Sequence, residues 1–419
     1  MASIKKINFI DVFYKVFLGV WLMLMLVFSG DFSLLKALVL LLLIALSLII
    51  IIFDKPLFDF KYLVYMAIWL FLSLSSYFYG VYNGFEFSVS LFLYMIVTPI
   101  ICFVLSSCIN KDRMLFINEV LLFSTLIIII ISLYYIAYRV GMLSMPSWLS
   151  GLNTFGGSKI MADKLEVRLS SQPSLIFLVP YLTTMLIFKG KANKFLIISL
   201  ISLSFLVVIF SGRRALQLLF FLGFFINILL YNYKFGLSFN SIIKIFIGLC
   251  LFVFLLILAF EVVGYYSGLS NPLLAFITTI TSSFDSTVGG GVQRYEQAIH
   301  LWKYFTEFPL FGHGLNSHPS YLRNIDEKWS YEWVYLALLS QSGVLYFIYT
   351  FGGFFILASK LLKRFKNYDD VYFPIFGGIF NGFVCFLIAG ATNPMFYFSW
   401  FWFLAFIIFN DEFWKQSDV

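Results

Sequence analysis

Runs of about 20 apolar residues follow one another through most of this chain, and in hydrocarbon a segment of that length has one workable conformation. With no water to bond to, every backbone N–H and C=O must be satisfied inside the segment, so each run reads as a membrane-spanning helix. Such runs occupy 12–28, 34–53, 63–79, 87–107, 114–138, 175–188, 195–210, 215–231, 242–263, 334–358, 372–389 and 396–409, about twelve in all. The expected fold is an all-α polytopic membrane protein, one transmembrane domain over 1–419. With 61% hydrophobic and only 12% charged residues, against about 25% charged in a soluble domain, the chain cannot dissolve in water as a globule.

Charge placement orients the spans. With the N-terminus inside, the inner connections carry Lys5 and Lys6, Lys55 and Lys61, Lys111 and Arg113, Lys189 to Lys194, Lys234, the cluster from Lys360 to Lys366, and Lys415. The short outer turns 30–33, 81–86 and 391–395 have no Lys or Arg, although Lys36 lies just beyond the first. Both termini are therefore expected in the cytoplasm. Lys5 and Lys6 precede an apolar stretch with no small-residue cleavage site, which reads as a retained first span and not as a signal peptide. The net charge of +7 is an orientation signal, since no basic run of the kind that binds nucleic acid is present. Cys102, Cys108, Cys250 and Cys385 lie in or beside apolar runs without metal-ligand spacing and read as small buried hydrophobes. No internal repeat and no phosphate-cradling glycine motif occurs, so any activated group must arrive with the substrate.

Two outer connections are too long to be turns: a smaller loop at 139–173 and a larger one at 264–331, between the ninth and tenth spans. In the larger loop Val292, Tyr295, Ile299, Trp302 and Thr306 recur at steps of three and four. This period predicts an amphipathic helix over 292–306, lying on the membrane surface or packed over the bundle and ended by Pro309.

In so uncharged a chain, ionisable residues near membrane depth on the outer side are candidates for function. Arg213 and Arg214, in Ser211-Gly212-Arg213-Arg214, stand on the outer face against the positive-inside tendency. Guanidinium forks suit an anionic pyrophosphate, the competing reading being that both snorkel to lipid phosphates. Arg294, on the amphipathic helix, can reach a bound anion from the opposite side. Glu332, where the loop re-enters the membrane, fits a general base as a partly desolvated carboxylate. The competing reading is a carboxylate paired with Lys328 or an arginine. His318 and His313 are rival bases, two of the three histidines, the third being His300. No two of these groups stand at i, i+4, so no metal is expected. Arg168 is the one residue of the smaller loop read as a substrate contact; Tyr321 and Arg323 are further possible contacts in the larger loop.

Together these residues resemble the bacterial O-antigen polymerase and O-antigen ligase superfamily of lipid-linked-glycan transferases. That family shows a Gly-Arg at the outer end of a middle span, matched by Ser211-Gly212-Arg213-Arg214-Ala215. It then shows a periplasmic loop with an Arg, a Trp, a Pro and a Gly-x-Gly in order, matched by Arg294, Trp302, Pro309, Gly312 and Gly314. In the ligase branch a His-Asn pair stands eleven residues before a glycine; counting back eleven from Gly343 reaches Glu332, a departure that favours the Wzy-type polymerase branch. The resemblance implies a GT-C-like glycosyltransferase of the bacterial inner membrane without cofactor. Its substrates would be undecaprenyl-pyrophosphate-linked glycans as donor and acceptor, with membrane lipids and a chain-length regulator protein as partners. It implies inverting, metal-independent transfer on the periplasmic side for lipopolysaccharide biosynthesis, with Arg213, Arg214 and Arg294 on the pyrophosphate and Glu332 or His318 taking the proton. The alternatives are a ligase that transfers the polymer to lipid A core, or a lipid-linked oligosaccharide flippase.

Overall fold

A computed structural model describes residues 2–54, 60–139, 141–146, 150, 152, 167–188, 193–236, 290–367, 372–393 and 395–407. The described residues form helices joined by turns and loops, with no strand among them. The helices are α1 (Ala2–Val27), α2 (Ser33–Asp54), α3 (Phe60–Tyr82), α4 (Val89–Ser107, with a π-helical turn over Leu93–Val97) and α5 (Lys111–Arg139). A 3-10 turn, Gln172–Ser174, leads into α6 (Leu175–Ile187), followed by α7 (Lys194–Phe210), α8 (Arg214–Phe235) and α9 (Gly290–Glu307). The chain continues as α10 (Val334–Asn367), α11 (Phe373–Gly390) and α12 (Ser399–Ile407).

Among these, eight helices are long and apolar enough to cross a membrane, the architecture of a polytopic membrane protein. The expectation of about twelve spans is met only in part. The runs at 175–188 and 195–210 form the shorter α6 and α7, the last run is described for nine residues as α12, and the ninth run, 242–263, lies outside the described residues. So do the first part of the larger loop, most of the smaller one, and Cys250. Cys102, Cys108 and Cys385 are buried free thiols.

The bundle is built around α6, α11 and α12. From Leu175 to Met185 every residue of α6 is buried, and so is α12 from Trp400 to Ile407. Peripheral α2 and α3 turn large side chains outward, with Leu41 63% and Phe71 68% exposed. In water such a surface would aggregate; lipid tails solvate it.

Because lipid offers no hydrophobic drive between helices, close contact and buried hydrogen bonds must hold the centre together. Gly378 and Gly382 of α11 let it settle on Tyr181 and Phe177 of α6; a Cβ on Gly382 would lie 2.7 Å from the Phe177 carbonyl oxygen. Gly223 of α8 sits against the ring of Pro180 in the same way. At this crossing the Asn381 amide donates to the carbonyls of Gly223 (2.9 Å) and Pro180 (3.2 Å) and to the Thr184 hydroxyl (3.1 Å). Thr184 in turn donates to Asn227 Oδ1 at 2.6 Å, and Asn227 donates to Thr183 at 2.8 Å. All four polar side chains are fully buried, so three helices are fixed in register by one closed set of bonds.

A second lock joins α1 to α5. Arg113, 5% exposed, donates through Nε to Asp11 at 2.7 Å and through a terminal nitrogen to the Cys108 carbonyl, and its guanidinium lies over the Tyr14 ring.

Asn381→Ala is expected to lower stability in detergent by about 1–2 kcal/mol, the range for a buried interhelical hydrogen bond in lipid. Gly382→Ala should cost more than Asn381→Ala, because its clash is with backbone. Thermal unfolding followed by size-exclusion chromatography ranks the two.

Candidate functional site

The tenth helix is broken. At Gly343 the backbone turns to φ 74° and ψ 173°, in the middle of an otherwise apolar helix. A break there strands the carbonyls of Ser340 and Gln341 and the N–H groups of Val344 and Leu345, which would have bonded to one another in a continuous helix. The segment after α9 supplies all four partners. His313 N–H donates to Ser340 O (3.3 Å) and Gly314 N–H to Gln341 O (2.7 Å), while Val344 and Leu345 donate to the carbonyls of Pro309 (2.9 Å) and Leu310 (3.3 Å). Gly312, at φ 66°, must be glycine for the fit: a Cβ would overlap the Gln341 carbonyl, and one on Gly343 would overlap the Leu310 carbonyl. The same segment is pinned to the end of α3, with Leu315 N–H donating to Ser76 O at 3.2 Å and Gly314 directly against Gly80.

This splice accounts for the Pro309 and Gly312-His313-Gly314 string. The backbone N–H of His313 serves α10. Its ring lies flat on Tyr304, centroids 3.6 Å apart, with Nε2 2.9 Å from the Tyr304 carbonyl oxygen. His313 is thus a packed residue of the junction.

Above the splice, α9 docks along the start of α10. The buried face of α9 is not the apolar stripe read from the sequence. Val292, Tyr295, Ile299 and Trp302 are 40–55% exposed, whereas Gln297 (2%) and Leu301 (0%) face inward, flanked by half-buried Arg294 and Tyr304. Leu301 packs with Tyr331 and Ala337. Polar bonds set the register: Glu332 N–H donates to Gln297 Oε1 at 3.0 Å, and Trp333 Nε1 donates to the Arg294 carbonyl at 2.8 Å. The reason for the swap is chemical. The groups of α10 available at this end are polar backbone and indole N–H, so the polar face of α9 finds partners there and the apolar stripe is left for lipid.

That docking brings Arg294 and Glu332 together. Arg294 Nε donates to Glu332 Oε2 at 2.5 Å, and Arg323 stands 3.6 Å from Oε1. One carboxylate oxygen is engaged, and the other faces a guanidinium beyond hydrogen-bond length. Side chains here are only about a quarter to a third exposed, 32% for Arg294 and 26% for Glu332, so the cluster is open to a group arriving from outside the bundle. Tyr321 forms the adjoining wall: its carbonyl accepts from the Tyr331 hydroxyl at 2.9 Å and its ring stacks on His300. Lys328 takes no part, being bonded to Glu86 at 2.9 Å, which holds the Glu86 carboxyl below its ordinary range. His318 is also elsewhere, with its ring edge-on to Phe85 and Nδ1 3.1 Å from the Pro319 carbonyl oxygen.

A second cationic cluster lies on the turn between α7 and α8. Arg213 donates to the Leu169 carbonyl at 3.2 Å, and the strand-like approach of 167–169 is fixed by Val167 N–H on Phe210 O (2.8 Å) and by fully buried Gln172, which bonds both Leu169 N–H and Val167 O. Burial, reinforced by the neighbouring exposed Arg168 guanidinium, pushes Arg213 down to about 10, leaving it protonated at neutral pH. Arg213 Nε, Gln217 Oε1 and the Ser171 hydroxyl are buried with no hydrogen-bond partner among the described residues. An unsatisfied buried donor costs about 1–3 kcal/mol, which an anion accepting from Arg213 would recover. The Arg214 side chain and the charged residues of the smaller loop from Lys159 to Glu166 lie outside the described residues.

The structure therefore joins Arg294, Glu332 and Arg323, with Tyr321 beside them. It sets Arg213, on the turn between α7 and α8, with Arg168, in the segment before α6, and gives His313 and His318 other partners. Sequence reasoning missed Gln297 and Gln172, whose buried amides fix the backbone beside the two clusters; a glutamine on a helix face or in a turn carries no motif. Among the described residues, no three His, Cys, Asp or Glu side chains form a metal-holding group. Compared with protein-family models, curated proteins and solved structures, the chain finds no match in any of the three.

In a double-mutant cycle of Arg294→Ala and Glu332→Gln, read by thermal unfolding, the pair is expected to couple by about 1 kcal/mol or less, the scale of a part-exposed ion pair. Gly312→Ala and Gly343→Ala should each abolish folding, seen as loss of monodisperse protein, while Ser342→Ala should not.

Proposed function

We propose that this chain is an O-antigen polymerase, a polytopic enzyme of the bacterial inner membrane with about twelve spans, a GT-C-like architecture and both termini in the cytoplasm. The observation that carries the reading is the contact between Arg294 and Glu332, 38 residues apart in sequence. The resemblance makes the loop arginine the anion contact, and the position eleven before Gly343, which holds the base in the ligase branch, carries Glu332 here, one of the two candidates for the base. Nothing in their sequence spacing requires them to touch.

In this reading the donor is an oligosaccharide on undecaprenyl pyrophosphate and the acceptor is the non-reducing end of another lipid-linked repeat unit. Glu332, through the oxygen that Arg294 does not engage, takes the proton of the acceptor hydroxyl. His318 is the rival, and its packing against Phe85 weighs against it. The freed oxygen attacks the anomeric carbon, the bond from that carbon to the pyrophosphate oxygen breaks, and configuration inverts. Charge grows on the departing pyrophosphate, where preplaced guanidiniums help most. Arg294 and Arg323 serve that end, while Arg213, whose buried Nε has no partner among the described residues, offers with Arg168 a second phosphate contact. Arg214 and Tyr321 complete the proposed substrate contacts, whereas His313 is taken up by its packing in the junction. A chain-length regulator is the proposed protein partner.

Lipopolysaccharide banding in a strain lacking the gene tests the reading. With the gene deleted, lipid A core is expected to carry a single repeat unit, and complementation with Arg294→Ala or Glu332→Ala, at matched membrane abundance, should leave the same band. Loss of the base alone is expected to slow transfer by 10²–10⁴-fold. If no repeat unit reaches the core at all, the ligase or flippase reading replaces this one.

A further inference from the structure

On the side of the bundle formed by α1 and α5, a groove of about 320 Å³ opens outward. Val16, Gly19, Met23, Phe116 and Phe123 line it, and among these apolar groups stands one carboxylate, Glu119. Glu119 is exposed and has no hydrogen bond or ion pair among the described residues. It lies six residues beyond Arg113, roughly 9 Å further along the helix axis. Two of the cations at that end of the helix pair, Arg113 and Lys15, both bond Asp11, at 2.7 and 2.8 Å, and Lys111 lies over the Tyr372 ring.

A carboxylate facing hydrocarbon from inside a long apolar helix is costly, and such residues face a partner group. Three occupants of the groove differ in what they offer it. A lipid tail fills the apolar walls and leaves Glu119 unmatched. A second copy of this chain, docked by two-fold symmetry on the same face, brings Glu119 against its own equivalent, like charge to like. A membrane helix of another protein, bearing a lysine or arginine at matching depth, fills the walls and pairs the carboxylate in surroundings where the attraction is least screened.

We infer that the α1–α5 groove is a docking site for a transmembrane helix of a different protein, recognised by a basic side chain that meets Glu119. The site is remote from the Arg294 cluster in sequence and rests on different helices, so it stands independently of the polymerase reading.

The test uses the full-length protein in phosphatidylethanolamine–phosphatidylglycerol vesicles and a labelled synthetic Leu/Ala single-span helix. One version carries a lysine six residues from its end, the other a leucine there. Energy transfer should show the lysine helix binding about tenfold more tightly, the range for a polar interhelical contact. Glu119→Gln should erase the preference. Val16→Trp, which fills the groove while leaving Glu119 in place, should reduce binding of both helices. Equal binding of the two helices, no binding of either, or a preference that survives Glu119→Gln overturns the inference. Energy transfer between copies of the protein that Val16→Trp abolishes also overturns it, in favour of self-association.

Discussion

A break in a helix that crosses hydrocarbon exposes two carbonyls and two amide groups to a solvent that cannot bond them, at a cost of several kcal/mol for each. The candidate site is organised around the answer to that cost at Gly343. Pro309 to Gly314 meet the stranded groups one for one, and in doing so they fix where α9 ends, where the loop returns and how the first turn of α10 presents Glu332. Without the splice, neither Arg294 nor Arg323 would have a defined position relative to the carboxylate. Gly312 and Gly343 are required because two backbones cross where no side chain fits.

Much of the fold was legible because apolar length is a strong signal: the described helices fall on the runs that the sequence marks out, and the helix over 292–306 forms as Gly290–Glu307. Its orientation was not legible. Periodicity shows that a helix has an apolar face but not which solvent that face meets, and beside a membrane the apolar face can point away from the protein. The Gly-x-Gly string drew attention as a chemical motif, yet its backbone serves a neighbouring helix, a relation that depends on Gly343 some thirty residues on. Glu332 was singled out as a charge just before the tenth apolar run. Pairing with Lys328 or an arginine was its competing reading, and that pairing is present, with Arg294 and Arg323, while Lys328 is bonded to Glu86.

Several of the described charges answer one another within a few ångströms. Arg113 and Lys15 share Asp11, Lys328 takes Glu86, and Arg294 and Arg323 share Glu332. The buried edge of Arg213 and the carboxylate of Glu119, set among the apolar walls of its groove, stand outside that pattern. In a medium that punishes unmatched charge, exceptions of this kind are where a bound molecule changes the energy most.

The inverted face of α9 has a further consequence. A helix that buries Gln297 and Leu301 while turning Val292, Tyr295, Ile299 and Trp302 outward is held to the protein by a few polar bonds and one packed leucine, and its aromatic stripe is left to the surroundings. An amphipathic helix with such a stripe lies along a bilayer interface where one is within reach. Lipid at that interface would then share in holding Arg294 against Glu332, and thinning, curvature or detergent would loosen α9 while leaving the interlocked centre of the bundle unchanged.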